Sequence, residues 1–226
     1  ESLPIENRPT SEYTELYEQA LLESADHIAQ LVGVLCRRVR RFAATDDVVI
    51  VSLARAGSPV GILMKRYAEK YLKLNWPHFS ISILRGRGID EKAVRTIREL
   101  YPKSHIQFVD GWTGKGAITR QLEEAMKDFP NVDAGIAVLS DPACVAQHCG
   151  THEDFLIASS CLNSTVSGLI SRTFLRSDII SNEDFHGAMY YSEFENDDLT
   201  YEFIDAIEAE FDYSYTTTDV QAEEYS

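Results

Sequence analysis

Apolar positions recur along this chain with two periods, and the period switches repeatedly. In residues 11–44, Leu16, Ala20, Leu21, Ala25, Ile28, Leu31, Val32 and Leu35 stand mostly three or four apart, predicting one long helix with a single buried face. Asp46 and Asp47 interrupt it. Residues 48–53 then form a near-continuous apolar run, the pattern of a parallel strand covered on both faces. A second helix is predicted over 59–71, with Pro59 suited to its first turn. Alternation over 78–84 predicts a strand, 90–100 a helix, 105–109 a strand and 116–128 a helix. Residues 134–139 form another buried strand, stopped by Ser140-Asp141-Pro142. This order predicts an α/β fold, a doubly wound, mainly parallel sheet flanked by helices. Beyond Glu153, residues 155–157 read as a short strand and 164–173 as a helix or an ordered loop. Residues 201–211 have the spacing of an amphipathic helix that packs on the body, and 216–226 read as disordered.

At 226 residues the chain has room for one large domain with an appendage. The expected division is an N-terminal arm and helix (1–45), an α/β core (46–180) and an acidic, aromatic C-terminal extension (181–226). Of the 36 acidic residues, 14 fall in 181–226, which has no Lys or Arg; the remaining 22 nearly balance the 21 basic residues. With no basic surplus to release counterions, affinity for nucleic acid is not expected. Arg37, Arg38, Arg40 and Arg41 read as a solvated helix C-terminus. No apolar run is long enough to span a membrane, and the first residues carry no basic-then-apolar leader. Four cysteines without a leader suggest reduced thiols and a cytoplasmic protein.

The candidate chemistry lies where the 105–109 strand ends. Asp110 follows it, and Gly111, Trp112, Thr113, Gly114, Lys115, Gly116 and Ala117 lead into the next helix. Glycines let successive N–H groups turn toward one anion, and the helix start adds unpaired N–H groups and a positive dipole end. Asp110 stands where open α/β sheets place their ligands. A Walker loop requires four residues between its glycines, then Lys and a hydroxyl; here Gly111 is two residues too close and Gly116 follows Lys115. A dinucleotide fingerprint fails as well, because Thr119 replaces its last glycine.

Residues 109–118 resemble the phosphoribosyl-pyrophosphate (PRPP) loop of type I phosphoribosyltransferases. Asp110 matches the family's first acid and Gly116 the glycine of its Thr-Gly pair. Gly111 stands for the usual second acid, Lys115 for the usual Thr and Ile118 for a common terminal Thr. Upstream, Leu53-Ala54-Arg55-Ala56-Gly57 resembles the family's pyrophosphate loop. Together with residues 3–10, 78–88 and 162–173, these segments look like the StiP family, which has a phosphoribosyltransferase-like domain, is associated with tellurite-resistance and stress gene clusters, and carries a cysteine protease label. Its members are often longer, so a further domain after the C-terminus is expected, and the reading leaves room for a homodimer. The resemblance implies PRPP and a nucleobase-like acceptor as ligands, with Mg²⁺ as cofactor. It implies Asp110 at the ribose and, through it, at the metal. Residues 111–117 would lie at the 5′-phosphate, and residues 53–57 with Arg85 and Arg87 at the pyrophosphate. Arg55, Arg85 and Arg87 join Asp110 as candidate catalytic groups. A non-catalytic PRPP or nucleotide regulator is the alternative from another class.

Three further groups stand out. Arg85-Gly86-Arg87-Gly88 reads as an anion-seeking lid or as a solvated basic turn. Ser167 and Arg172 are the substrate-binding candidates of a polar cluster that includes Asn163, Ser164, Thr165 and Ser171. Cys144, His148, Cys149, His152 and Cys161 have no standard zinc spacing and no protease-like local motif, so small buried thiols with surface histidines are expected.

Overall fold

A computed structural model describes residues 5–84, 86–162, 164–176, 178–181 and 184–216. Its centre is a six-stranded sheet in the order β3-β2-β1-β4-β5-β6. The strands are β1 (Val48–Ala54), β2 (His78–Leu84), β3 (Gly88–Ile89), β4 (His105–Trp112), β5 (Ile136–Ser140) and β6 (His148–Thr151). All neighbours pair in parallel except β3, which folds back antiparallel on β2. The helices are α1 (Ser11–Ala43), α2 (Gly57–Tyr67), α3 (Glu91–Leu100), α4 (Ala117–Met126) and α5 (Thr200–Ala209).

Each central strand feeds two cores. Val48 and Ile50 of β1, Val109 of β4 and Leu139 of β5 pack with α1, α2 and α5. Val49, Val51 and Leu53 of β1, Phe108 of β4 and Val138 of β5 pack with α3 and α4 on the other face. Side chains alternate across a pleat, so a strand covered on both sides reads as an unbroken apolar run. The doubly wound expectation therefore holds.

Several boundaries differ from expectation. Tyr17, fully buried, takes the place on α1 assigned to Leu16, which is 47% exposed. Strand β4 runs through Asp110 and Gly111 to Trp112, three residues past the expected end, because Trp112 still pairs with Ser140. Strand β6 replaces the short strand expected at 155–157. Its sequence, His-Cys-Gly-Thr, has no apolar alternation, yet Gly150 is required there: a Cβ would lie 2.7 Å from the Leu139 carbonyl oxygen. Residues 164–173 form a short 3₁₀ turn (Ser164–Val166) and then bridges, Ile170 to Tyr190 and Phe174 to Gly187. Residues 217–226, the greater part of the expected disordered tail, lie outside the described residues. Among those described, no helix is long and apolar enough to cross a membrane.

The acidic C-terminal segment is part of the core through α5. Phe203, Ile204 and Ile207 are fully buried against α1 and α2, and Arg66 of α2 pairs with Asp205 at 2.7 Å and Glu208 at 2.5 Å. We expect Phe203→Ala to cost about 3–5 kcal/mol in urea unfolding, as a large buried aromatic deletion does. A loss below about 1 kcal/mol would show that α5 is dispensable to the core.

Candidate functional site at the carboxyl edge of the sheet

The strand order reverses between β1 and β4, and open α/β sheets bind their ligands outside the carboxyl ends of the strands at such a point. Two glycine-bearing turns meet there. Gly57 begins α2 so close to β4 that a Cβ would stand 2.3 Å from the Val109 carbonyl oxygen. Gly111 is buried against the Ala56 carbonyl, 3.4 Å from where its Cβ would be. The segments 53–57 and 110–117 are thereby held edge to edge.

Asp110 is half-buried, and its Oδ1 accepts the Gly111 N–H at 2.8 Å. Burial pushes its pKa up to about 7, only partly opposed by that hydrogen bond. A carboxyl group so placed gains from a cation or from hydroxyl donors. Beyond it, Thr113 turns inward: its N–H donates to the Ser140 carbonyl at 3.0 Å and its hydroxyl to Asp141 Oδ1. Gly114 and Lys115 are exposed, and Gly116 takes φ 72° as it opens α4. The first-turn N–H groups of α4 have no partner within the helix and point toward this loop. Arg120 brings its guanidinium over Gly116, 3.1 Å from where a Cβ there would sit, a cation that the sequence pattern did not single out. Trp112 is 42% exposed.

The pyrophosphate candidates divide. Leu53 is buried in the core and faces no ligand space. The Ala54–Arg55 peptide is cis. Arg55 does not project freely: its Nη1 donates to Glu6 Oε1 at 2.9 Å and to the Ile170 carbonyl at 3.1 Å. Both side chains of the pair are largely buried, 13% and 8% exposed. Glu6 was not singled out by sequence, since nothing local marks an acid 49 residues upstream as a partner. Arg87 is exposed and donates to the Leu175 carbonyl at 3.1 Å; Arg85 and Asn163 lie outside the described residues. The turn between β2 and β3 is pinned to α4, because Gln121 accepts the Gly86 N–H at 3.2 Å and donates to the Leu84 carbonyl at 2.6 Å. Ser167 is buried, its hydroxyl directed to the Ser164 carbonyl at 3.4 Å, whereas Arg172 is exposed. Beside Ala54, a cavity of about 360 Å³ opens between β2, α3 and the 170–188 segment. Ser82 at its floor is 2.8 Å from His186 Nδ1, and Asp90 accepts the His186 N–H at 2.7 Å.

The expectation of buried thiols and surface histidines fails at two positions, since Cys144 is exposed and His148 is buried, and the group forms one cluster and two outliers. His148 stacks edge-on against Phe42, its pKa lowered by burial to about 4, and Cys161 packs on the α1 side of the core. Cys144, exposed and at φ 53°, has its Sγ 3.4 Å from His152 Nδ1. Cys149 Sγ is 3.5 Å from His152 Nε2, and His152 Nδ1 is 2.8 Å from the Asp141 carbonyl.

A family model described as "Tellurite-like stress resistance cysteine protease StiP" matches residues 1–208. The chain belongs to the StiP family. It is 36% identical over 217 residues to the protein named Cysteine protease StiP from Acinetobacter baylyi (strain ATCC 33305 / BD413 / ADP1). That match covers 91% of this chain and 56% of the relative, so the chain spans about half the length of the curated StiP protein it matches. Among solved structures it is similar to a hypothetical protein from Neisseria gonorrhoeae with bound ppGpp (15% identity, 58% of this chain and 82% of that one, TM-score 0.41). It is also similar to the hypoxanthine phosphoribosyltransferase of Trypanosoma cruzi (11% identity, 56% and 77%, TM-score 0.42).

In this StiP-family chain, the buried Glu6–Arg55 pair supplies a direct test of the site's framework. Removing one partner leaves the other charge buried and uncompensated. Arg55→Ala should therefore cost about 3–5 kcal/mol in chemical denaturation, and the Glu6→Ala/Arg55→Ala double variant should recover part of it. Additive losses would show that the two charges are not coupled.

Proposed function

We propose that the chain binds a phosphoribosyl ligand, PRPP with Mg²⁺, at the β1/β4 crevice and transfers the phosphoribosyl group to a nucleobase-like acceptor, in the stress-response setting of its family. The observation that carries the reading is Asp110: a single carboxyl group with a raised pKa, at the carboxyl end of β4 where the strand order reverses. Asp110 would hold the ribose hydroxyls that share the metal. The residues fit this role, since among the described residues no cation pairs with Asp110 and its carboxylate accepts from its own neighbour, the Gly111 N–H. Mg²⁺, when bound with PRPP, would neutralise the departing pyrophosphate. The N–H groups around residues 114–119, with Lys115 and Arg120, would take the 5′-phosphate. The cavity beside Ala54 would admit the acceptor, whose ring nitrogen replaces pyrophosphate at the anomeric carbon.

A PRPP or nucleotide regulator without turnover is supported by the same residues plus one more contact. Arg55, the group expected at pyrophosphate, is engaged by Glu6. Asp110→Asn should weaken PRPP–Mg²⁺ binding in calorimetry by about tenfold or more, the loss of one charge-assisted contact. Because the carboxyl is protonated and neutral below about pH 7 and ionised above it, wild-type affinity should fall as pH drops from 8 to 6. The Asn variant should lack that dependence. Unchanged affinity in Asp110→Asn would remove the ligand from this crevice. Pyrophosphate release with a panel of purines and pyrimidines separates the readings, since binding without release favours the regulator.

A second reading, thiol-dependent peptide cleavage, draws on the relatives' description and on one distance. Cys144 Sγ is exposed and 3.4 Å from His152 Nδ1, which donates to the Asp141 carbonyl at 2.8 Å, so a thiol–imidazole pair forms only when the ring turns. On this reading, cleavage of a peptide library stops on alkylation and in Cys144→Ala, and persists in Cys161→Ala. Alkylation-insensitive cleavage, or none, ends it.

A further inference from the structure

Three side chains that the phosphate-site reading does not use converge where β5 ends and β6 runs beside it. Asp141, Cys149 and His152 each offer a donor atom, and these atoms all lie within 4.8 Å of one another. We propose that they bind a zinc-class divalent ion, with the exposed Cys144 turning in as the fourth donor.

The spacings fit that chemistry. Zinc holds thiolate sulfur at about 2.3 Å and imidazole nitrogen at about 2.0–2.1 Å, so two donors of a tetrahedron stand roughly 3.5 Å apart. Cys149 Sγ is 3.5 Å from His152 Nε2, the spacing of two donors on one ion. A carboxylate oxygen of Asp141 lies within 4.8 Å of both, and Cys144 Sγ, 3.4 Å from the opposite ring nitrogen, reaches the ion by turning its exposed side chain. Two thiols and an imidazole are soft or borderline donors, which select zinc over the oxygen-seeking magnesium of the phosphate site.

The frame around these donors is already built. Cys149 is fixed by the pairing of β6 with β5, opposite Val138. Arg38 of α1 donates to the Cys149 carbonyl at 2.6 Å and sits 3.6 Å from its sulfur, holding that residue in place. Asp141 is anchored by Thr113 and by the N–H groups of Val145 and Ala146. His152 can ligate through Nε2 while Nδ1–H donates to the Asp141 carbonyl at 2.8 Å, the kind of outer contact that orients a metal-bound imidazole. The ion has a way in, because Cys144 is exposed and the His152 side chain is 44% exposed. A ligated Cys144 is not a free nucleophile, so metal binding and the thiol-cleavage reading exclude each other in one molecule.

The test uses the full chain, stripped of metal under reducing conditions. Titration with Zn²⁺ against a chromophoric chelator should give one ion per chain. Co²⁺ should produce a thiolate-to-cobalt charge-transfer band. Cys149→Ser and His152→Ala should each weaken binding by more than about tenfold, whereas Cys161→Ser should not. Circular dichroism checks the fold of each variant. Should a variant unfold, alkylation of the wild type decides: Zn²⁺ should protect Cys144 and Cys149 and leave Cys161 reacting as before. Binding no tighter than in the Cys149→Ser/His152→Ala variant, a cobalt spectrum without the thiolate band, or unprotected thiols would each overturn the site. PRPP–Mg²⁺ calorimetry on the same sample reports separately on the phosphoribosyl reading.

Discussion

The Asp141 carboxylate has no solvent exposure, and a charge so placed persists only when its lone pairs are engaged. Oδ1 accepts the Thr113 hydroxyl and the Val145 N–H, and Oδ2 accepts the Ala146 N–H. Three stretches of chain are thereby drawn to one point: the end of β4, the end of β5 and the 142–147 connection into β6. The loop beyond β4 cannot swing away without stranding this carboxylate, and the connection that carries Cys144 is folded around it. Through its backbone carbonyl the same residue meets His152. One buried acid thus ties the wall of the β1/β4 crevice to the thiol–imidazole cluster.

A second buried charge organises the opposite wall. Glu6 reaches Arg55 from the N-terminal arm, Ile170 reaches it from the segment after the core, and Arg8 joins the arm to Asp197 at 2.8 Å. Segments from both ends of the chain are therefore stitched across the turn after β1. The positive charge of that turn is internally balanced. Among the described residues at the crevice, Lys115 and Arg120 beside α4 form no ion pair, which on the proposed reading puts the anion at the β4 end.

The parallel core was legible in sequence because strands such as 48–53 are covered on both faces and carry an unbroken apolar signal. The position of Asp110 and its glycines was legible for a related reason, since an acid and glycines after an apolar run mark where a strand gives way to a turn and the next helix. What could not be read were pairings set by long-range contact. Strand β6 forms although His-Cys-Gly-Thr has no period, because the edge of β5 and α1 supply its partners and Gly150 lets them approach. Asp141 looked like a strand terminator, and only the folded sheet puts Thr113 opposite it. Glu6 and Arg55, 49 residues apart, meet through tertiary structure alone. The one local hint available was positional, since Asp141 ends β5 much as Asp110 stands near the end of β4.

At position 111 a side chain has room: it would begin 3.4 Å from the Ala56 carbonyl oxygen and 3.6 Å from the Ala56 Cβ, ordinary contact distances. A carboxylate built on it would stand beside Asp110, in a strand that still pairs with β5. Two acids so close raise each other's pKa and demand a cation between them. Glycine removes that demand. The crevice is consequently a one-acid site, in which Asp110 can be held neutral or charged near neutral pH according to what binds. Such a site fits the proposed ligand, which would bring its own hydroxyls and its own metal, and it favours the binding half of that proposal over turnover.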